Sequence, residues 1–384
     1  MPMTTTPHIL VTGGAGFIGS ALVLHLVQEK GYRVTTVDAL TYAAHPHSLD
    51  ALHHHPKHRL IEADINDVGR MRAILGDAKP DAVMHLAAES HVDRSIQGPG
   101  AFIRTNVLGT QVLLEAVRHV YEGYDLDKRT RFRFVHISTD EVFGSLGEEG
   151  FFNEQTRYDP RSPYSASKAA SDHLVRAWGH TYGLPTLIAN CSNNYGPRQF
   201  PEKLIPLMIL NALESKPLPV YGDGLNIRDW LYVDDHVRAL TLILEKGTIG
   251  ETYLIGGRAE RTNKQVVEAI CAVFDALKPE NAPHARLITR VTDRPGHDRR
   301  YAIDPSHIEN TLGWRAQVTF EEGLQQTIDW YLNNQNWWQP LRENVYAGER
   351  LGLSKQSAQG DNEDGQTTFK PSPFAATGLS LFKR

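Results

Sequence analysis

Thr12-Gly13-Gly14-Ala15-Gly16-Phe17-Ile18-Gly19 is the stretch on which the reading of the fold turns. It follows the β-branched run His8–Val11 and opens an amphipathic pattern over Ile18–Gln28. Glycines at 13, 16 and 19 give a GxxGxxG spacing rather than the commoner GxGxxG. The physics is the same: glycine lets the chain turn tightly and lets a pyrophosphate approach a helix N-terminus. A purely structural turn would use the same residues, so the strand before and the helix after carry the argument. Asp38 adds to it. It closes the next candidate strand, Arg33–Val37, about 20 residues past the last glycine, where a carboxylate can accept hydrogen bonds from an adenosine ribose. The same charge repels a 2′-phosphate, so the expected cofactor is NAD rather than NADP. An aspartate capping a turn is the plainer alternative.

Outward from this unit the pattern repeats. Further candidate strands are Arg59–Glu62, Ala82–Leu86, Arg133–Ile137 and Pro185–Ala189, separated by helical patterns over Val68–Leu75, Asn106–Val120 and Ser165–Tyr182. Strand and helix alternating on this scale predict an α/β fold, a Rossmann-type doubly wound parallel sheet. After about Asn190 the elements shorten and Pro and Gly increase, which predicts a smaller, mixed α/β C-terminal domain for substrate. The expected division is 1–190 for the NAD-binding domain, with 232–256 returning to it through Val233–Leu244 and Thr252–Ile255. Residues 191–231 and 257–345 form the substrate domain. The stretch 354–384, rich in Gly, Ser, Gln and Thr, is expected to be disordered.

Composition narrows the function classes. With 384 residues, 22% charged and a net charge of −5, the chain shows no basic surface for nucleic acid. No apolar run approaches the roughly 18 residues a membrane span needs, and the N-terminus lacks a signal-peptide pattern. Two cysteines, Cys191 and Cys271, predict no disulfide framework and a reducing, cytoplasmic setting. His53-His54-His55-Pro56-Lys57-His58, with His45 and His47 nearby, offers neither an i, i+4 helical pair nor a carboxylate partner. It reads as a solvated loop, and no metal is expected.

The remaining signals gather where strands end, the edge at which open α/β sheets bind ligands. Asp64-Ile65 follows the third strand and Leu86-Ala87-Ala88 the fourth. Ser138-Thr139-Asp140-Glu141 ends the fifth. Ser162-Pro163 then reads as a helix start, with Ser as cap and Pro in the first turn. Tyr164 and Lys168, four apart, project from one helix face. A phenol ordinarily ionises near pH 10; a neighbouring ammonium and an oxidised nicotinamide favour the phenolate and make it a general base for an alcohol. Thr139 can hydrogen-bond the same hydroxyl. Adjacent strand residues face opposite ways, so Asp140 and Glu141 converge only if the chain has left the strand. The Glu141 charge would raise the Asp140 pKa and a helix N-terminus would lower it; the sequence leaves the balance open.

Taken together these motifs resemble the extended short-chain dehydrogenase/reductase family, and within it the dTDP-glucose 4,6-dehydratases, over approximately residues 8–340. The narrow signs are Ala87–Asp93, Thr139-Asp140-Glu141, Asn193–Pro197, Arg228-Asp229-Trp230 and Asp293–Tyr301. The resemblance implies Tyr164 as base at C4 of a hexose, Glu141 as base at C5 and Asp140 as acid at C6, with Lys168 supporting the phenolate. It implies Thr105 in the NAD pocket, and Ser90, Thr139 and Asn193 at the sugar. Lys203, Leu204, Arg228, Asn263, Asp293, Arg294, His297 and Tyr301 would hold the diphosphate and nucleoside. Two arginines suit a diphosphate, because guanidinium pairs with it bidentately; Arg299 and Arg300 read equally well as surface charges. A homodimer through Asn106–Val120 and Ser165–Tyr182 is likewise implied. Phe143 stands where the family often has Tyr, and Leu312–Ala316 lacks a terminal Pro. A 4-epimerase or decarboxylase of the same family and a non-catalytic NAD-sensing protein are the alternatives. Asp140-Glu141 directly after Thr139 speaks against an epimerase, and a sensor would not need Tyr164, Lys168 and the acidic pair together. The nucleotide base is not legible.

Overall fold

The computed structural model describes residues 6–349 and 351; the expected disordered tail lies outside the described residues. Seven strands form one parallel sheet: β1 (His8–Thr12), β2 (Arg33–Asp38), β3 (His58–Glu62), β4 (Ala82–His85), β5 (Arg133–Thr139), β6 (Thr186–Cys191) and, numbered in chain order, β10 (Thr252–Ile255). Their order is β10-β6-β5-β4-β1-β2-β3. The chain winds outward from β1 through β2 and β3, then returns to pair β4 against the other side of β1. The crevice between β1 and β4 is therefore the switch point of a Rossmann-type doubly wound sheet.

Parallel strands covered on both faces are mostly apolar, and β1, β4 and β6 are buried along their whole length, with His8, Thr12, His85, Thr186 and Asn190 as buried polar members. Leu22, Leu26, Val237 and Ile243 cover one face, whereas Leu75, Leu113, Val117 and Val175 cover the other. The helix Val233–Lys246 packs with the first group, beside strand β10.

A second hydrophobic cluster lies C-terminal in sequence and includes Ile209, Trp230, Phe274 and Tyr331. It surrounds two small sheets. One pairs β11 (Glu260–Thr262), β9 (Ile227–Tyr232) and β7 (Asn193–Tyr195), and the other pairs β12 (Ile288–Val291) with β8 (Leu218–Tyr221). The fold is thus a doubly wound sheet joined to a smaller, mixed α/β lobe. No helix among the described residues is long and apolar enough to cross a membrane. No group of three or more His, Cys, Asp or Glu among them could hold a metal ion. Within the His-rich stretch, His45 is buried with its ring 4.9 Å from that of Trp337.

Candidate active site

The glycine run forms the floor of a cleft of about 320 Å3 at the carboxyl edge of the sheet. Gly13 has φ +72°, and a Cβ there would lie 2.6 Å from the Ala87 nitrogen. At Gly19 a Cβ would lie 2.0 Å from the Gly13 carbonyl. Only glycine permits both approaches. Asp38 closes β2 as expected, and its carboxylate already has two backbone partners: it accepts from Ala15 and from Leu40, each at 2.9 Å. It ties the glycine loop down and lines the cleft at once. The turn-capping contacts of Asp38 are present, and its place in the cleft leaves room for the cofactor role. Gly16, Phe17, Ile18, Asp64, Ile65, Leu86, Ala87, Ala88 and Thr105 line the same cleft. The cradle that a Cβ would fill, together with a carboxylate at the second strand's end, fits a dinucleotide bound as NAD.

At the far end of that cleft β5 stops at Thr139 and a short 3-10 turn, Asp140–Phe143, begins. Thr139 caps this turn by accepting from the Glu141 nitrogen at 3.2 Å. The turn resolves the geometric difficulty of two neighbouring carboxyls: the chain has left the strand, and both Asp140 and Glu141 line the cleft. Asp140 is buried, with Oδ1 3.3 Å from the Thr139 hydroxyl and Oδ2 without a hydrogen-bond partner. Burial, the Glu141 charge and Asp229 push its pKa well above the usual carboxylate range. Of the influences weighed from the sequence, the raising one, the Glu141 charge, is present, and burial adds to it. Burial also raises Glu141, against Arg294, Arg228 and Lys203.

Tyr164 and Lys168 come from the helix Pro163–Tyr182. Its start is fixed by a capping box, in which Ser162 accepts from the Ser165 nitrogen at 3.0 Å and Pro163 occupies the first turn. Such a cap stabilises a helix by about 1 kcal/mol. Tyr164 is buried with its ring 6.3 Å from that of Phe102. Burial and Glu141 push its phenol well above the ordinary value, while the Thr139 hydroxyl pulls the other way. Lys168 is buried, donates to the Ile137 carbonyl at 2.8 Å, and is lowered by burial.

A second cavity of about 520 Å3 opens from this point into the C-terminal lobe. The two cavities share Glu141, Asn193, Glu202 and Lys203. Leu204, Arg228, Asn263, Arg294, His297 and Tyr301 line the second one, and Ser90 and Thr139 the first. Arg228 lies 4.2 Å over the Tyr301 ring and donates to the Asp298 carbonyl at 3.0 Å. Arg294 stands 3.3 Å from Asp93. His297 is lowered to about 4 by burial and by Arg294 and Arg228, so it is neutral at pH 7. Asp293 stands behind this wall rather than in it: it bonds His297 Nδ1 at 2.6 Å and accepts from the Arg294 nitrogen at 2.8 Å. Of the ambiguous arginines, Arg300 is buried and paired with Glu260 at 2.6 Å, whereas Arg299 is exposed.

Sequence reasoning missed Glu202, paired with Arg94 at 2.7 Å, and Tyr221 and Tyr346 in the second cavity. Glu202 is the one with a local signal, since it precedes Lys203; the tyrosines come from distant segments and carry none.

The family described as GDP-mannose 4,6 dehydratase matches residues 10–327. A dTDP-glucose 4,6-dehydratase of Xanthomonas campestris pv. campestris is 56% identical over 347 residues, 90% of this chain and 99% of that one. Among solved structures, a dTDP-glucose 4,6-dehydratase of Bacillus anthracis in complex with NAD is 44% identical with a TM-score of 0.77. The match covers 88% of this chain and 100% of that one. A dTDP-glucose 4,6-dehydratase of Streptomyces venezuelae, with NAD and a second ligand bound, is 44% identical with a TM-score of 0.79, over 87% and 99% of the two chains.

Proposed function

This chain belongs to the dTDP-glucose 4,6-dehydratase family, and from that membership we infer that it converts dTDP-glucose into dTDP-4-keto-6-deoxyglucose with NAD. The observation that carries the reading is the junction at Glu141. There a dinucleotide cleft and a nucleotide-sized cavity meet beside Asp140 and Tyr164. With NAD in the cleft, a sugar nucleotide lying in the second cavity would bring its sugar to these three groups at the junction.

Bound NAD supplies a hydride acceptor for C4, a hydride donor for C6 and, when oxidised, a positive charge beside the phenol. Tyr164 takes the proton of the C4 hydroxyl, and Lys168 favours the phenolate that does so. Thr139 orients that hydroxyl. The C4 ketone acidifies the C5 hydrogen, which Glu141 removes. Hydroxide is a poor leaving group, so Asp140 protonates the C6 oxygen and water departs. The burial that raises the Asp140 pKa suits it to this role. Arg228 and Arg294 flank the path of the diphosphate, beside Lys203, Asn263 and Tyr301. Asn193 and Ser90 face the sugar, and Asp293 acts through His297.

The test is incubation with dTDP-, UDP- and CDP-glucose in deuterated water. The expected result is a 4-keto-6-deoxy product carrying solvent deuterium at C5, formed fastest from dTDP-glucose. A C4 epimer as the only product would replace this reading with the epimerase one, and bound NAD without turnover would favour a sensor.

We also assign a homodimer. The helices Thr110–Glu122 and Pro163–Tyr182 pack on each other, while Ile103, Leu108 and Tyr182 are about half exposed at 47, 54 and 45%. A second copy covering this pair and the preceding segment Ile103–Gly109 would bury them. Sedimentation at twice the chain mass is expected, reverting to one mass in Leu108→Asp. A cytoplasmic setting fits the two free, buried cysteines.

A further inference from the structure

Beneath the catalytic helix lies a buried polar cluster that the reaction as described does not use. Asp172 follows Lys168 by one helical turn, as Lys168 follows Tyr164, so the three share a face of the helix Pro163–Tyr182. Its side chain is 0% exposed. Oδ2 accepts from the Ser138 hydroxyl at 2.9 Å, the Tyr158 hydroxyl at 2.9 Å and Asn190 Nδ2 at 3.3 Å. Asn190 Nδ2 also donates to the Thr139 carbonyl at 3.0 Å. Oδ1 lies 3.1 Å from His136 Nε2. Four neighbours from three directions thus converge on one carboxylate, and two of them belong to the strand end that presents Thr139 and Asp140.

We propose that Asp172 is the positioning residue of the site: the buried counter-ion of the Lys168 ammonium and the anchor of the β5 end that carries Thr139 and Asp140. This rests on the dehydratase reading above.

Lys168 and Asp172 form no direct ion pair, Lys168 donating instead to Ile137; their charges act on each other from one helical turn apart, and the groups around them single Asp172 out. From β6, the Cys191 thiol is pushed up to about 12 by burial, so it carries no charge at neutral pH. From β5, His136 is lowered to about 4, chiefly by burial, and is neutral there too. The His85 ring of β4 lies 5.2 Å from that of His136 and is lowered well below its ordinary value by burial. Tyr158, from the loop before the helix, is pushed up by burial and stays neutral. Arg176, one turn further along the helix, donates instead to the Tyr158 hydroxyl at 2.9 Å and to Thr252 at 3.2 Å. Above the pair stand Tyr164 and Asp140, both with pKa values raised chiefly by burial. Burial favours the uncharged amine of Lys168; the Asp172 carboxylate opposes it, and Asp172 itself stays ionised because His136, Lys168 and Ser138 outweigh its burial. An uncharged Lys168 would no longer support a phenolate at Tyr164.

The holoenzyme tests this with two readouts. In protein labelled with 13C at lysine Cε, the Lys168 resonance is assigned by its loss in Lys168→Met and titrated without substrate. In Asp172→Asn its midpoint is expected to fall by about one to two pH units. Reduced-nicotinamide absorbance in a single turnover reports C4 oxidation, which needs Tyr164 and Lys168 but not yet the Asp140 proton. Its alkaline limb should fall with the midpoint, KM for dTDP-glucose should stay within about twofold, and Asp172→Glu should restore both toward wild type. An unmoved midpoint in a folded Asp172→Asn protein overturns the proposal, however low its kcat. If that variant does not fold, Tyr158→Phe decides. It removes the hydroxyl's hydrogen bonds to Asp172 and from Arg176 but keeps the carboxylate, so the midpoint must stay; a displaced midpoint overturns the counter-ion role. Wild-type turnover of dTDP-glucose is measured first, so failure of the functional reading shows there and not in the variants.

Discussion

Tyr164→Phe lowers kcat by about 10^3-fold, in the middle of the range for a positioned general acid or base, while KM changes little. That loss corresponds to about 4 kcal/mol of transition-state stabilisation. The substitution is informative because of where the phenol sits. Its ring is buried and its face is set by Phe102, so phenylalanine keeps the packing and removes one oxygen. NAD binding should survive, since the glycine loop and Asp38 are untouched. The wild-type profile carries a further expectation. Burial and Glu141 hold the phenol high, against the Thr139 hydroxyl, so activity should rise with pH as the phenol ionises. Tyr164→Phe should lose that acid limb along with the rate. A variant that retains more than about a tenth of wild-type kcat would assign the proton at C4 to another group, because a missing base costs at least about 10^2.

The parts of this design legible in the sequence are those whose causes are local. The Gly13–Gly19 run, the strand before it and Asp38 interact within one βαβ unit, so spacing alone brings them together. The Ser162-Pro163 start is a matter of three residues, and it fixes where Tyr164 and Lys168 point. The turn at Asp140 could be stated as a geometric requirement, although not seen. What stayed hidden depends on tertiary partners. Asp172 looks like any polar residue on a long helix until Ser138, Asn190 and His136 are known to close over it. His85 and His136 give no periodic signal that separates them from the apolar residues of their strands. Tyr346 reaches the second cavity from the last described segment, and no spacing rule connects it to Arg228 or Lys203. Asp293 shows the opposite error: it sits in a dense motif, yet its carboxylate serves His297.

The acidic pair separates by isotope. In Glu141→Gln, C4 oxidation should persist while C5 exchange with deuterated water and product formation both fall by about 10^2 to 10^4. In Asp140→Asn, C5 exchange should persist and only loss of water should fall by a similar factor. The distinction follows from surroundings rather than from chemical type, since both side chains are carboxyls. Asp140 is enclosed, with Oδ2 unpaired and burial, Glu141 and Asp229 all disfavouring its charge. Glu141 opens on both cavities, where Arg294, Arg228 and Lys203 favour its ionised form against burial. On the proposed reading, Asp140 is the group that gives a proton and Glu141 the one that takes it. The amide that Asp140→Asn introduces would match the shape of a protonated aspartic acid but has no acidic proton to deliver, so packing is kept while the leaving group is stranded. Reduced nicotinamide should accordingly build up in both variants during a single turnover, and only Asp140→Asn should label C5 while it does. Labelling in Glu141→Gln instead, with none in Asp140→Asn, would exchange the two roles and remove the electrostatic argument for them.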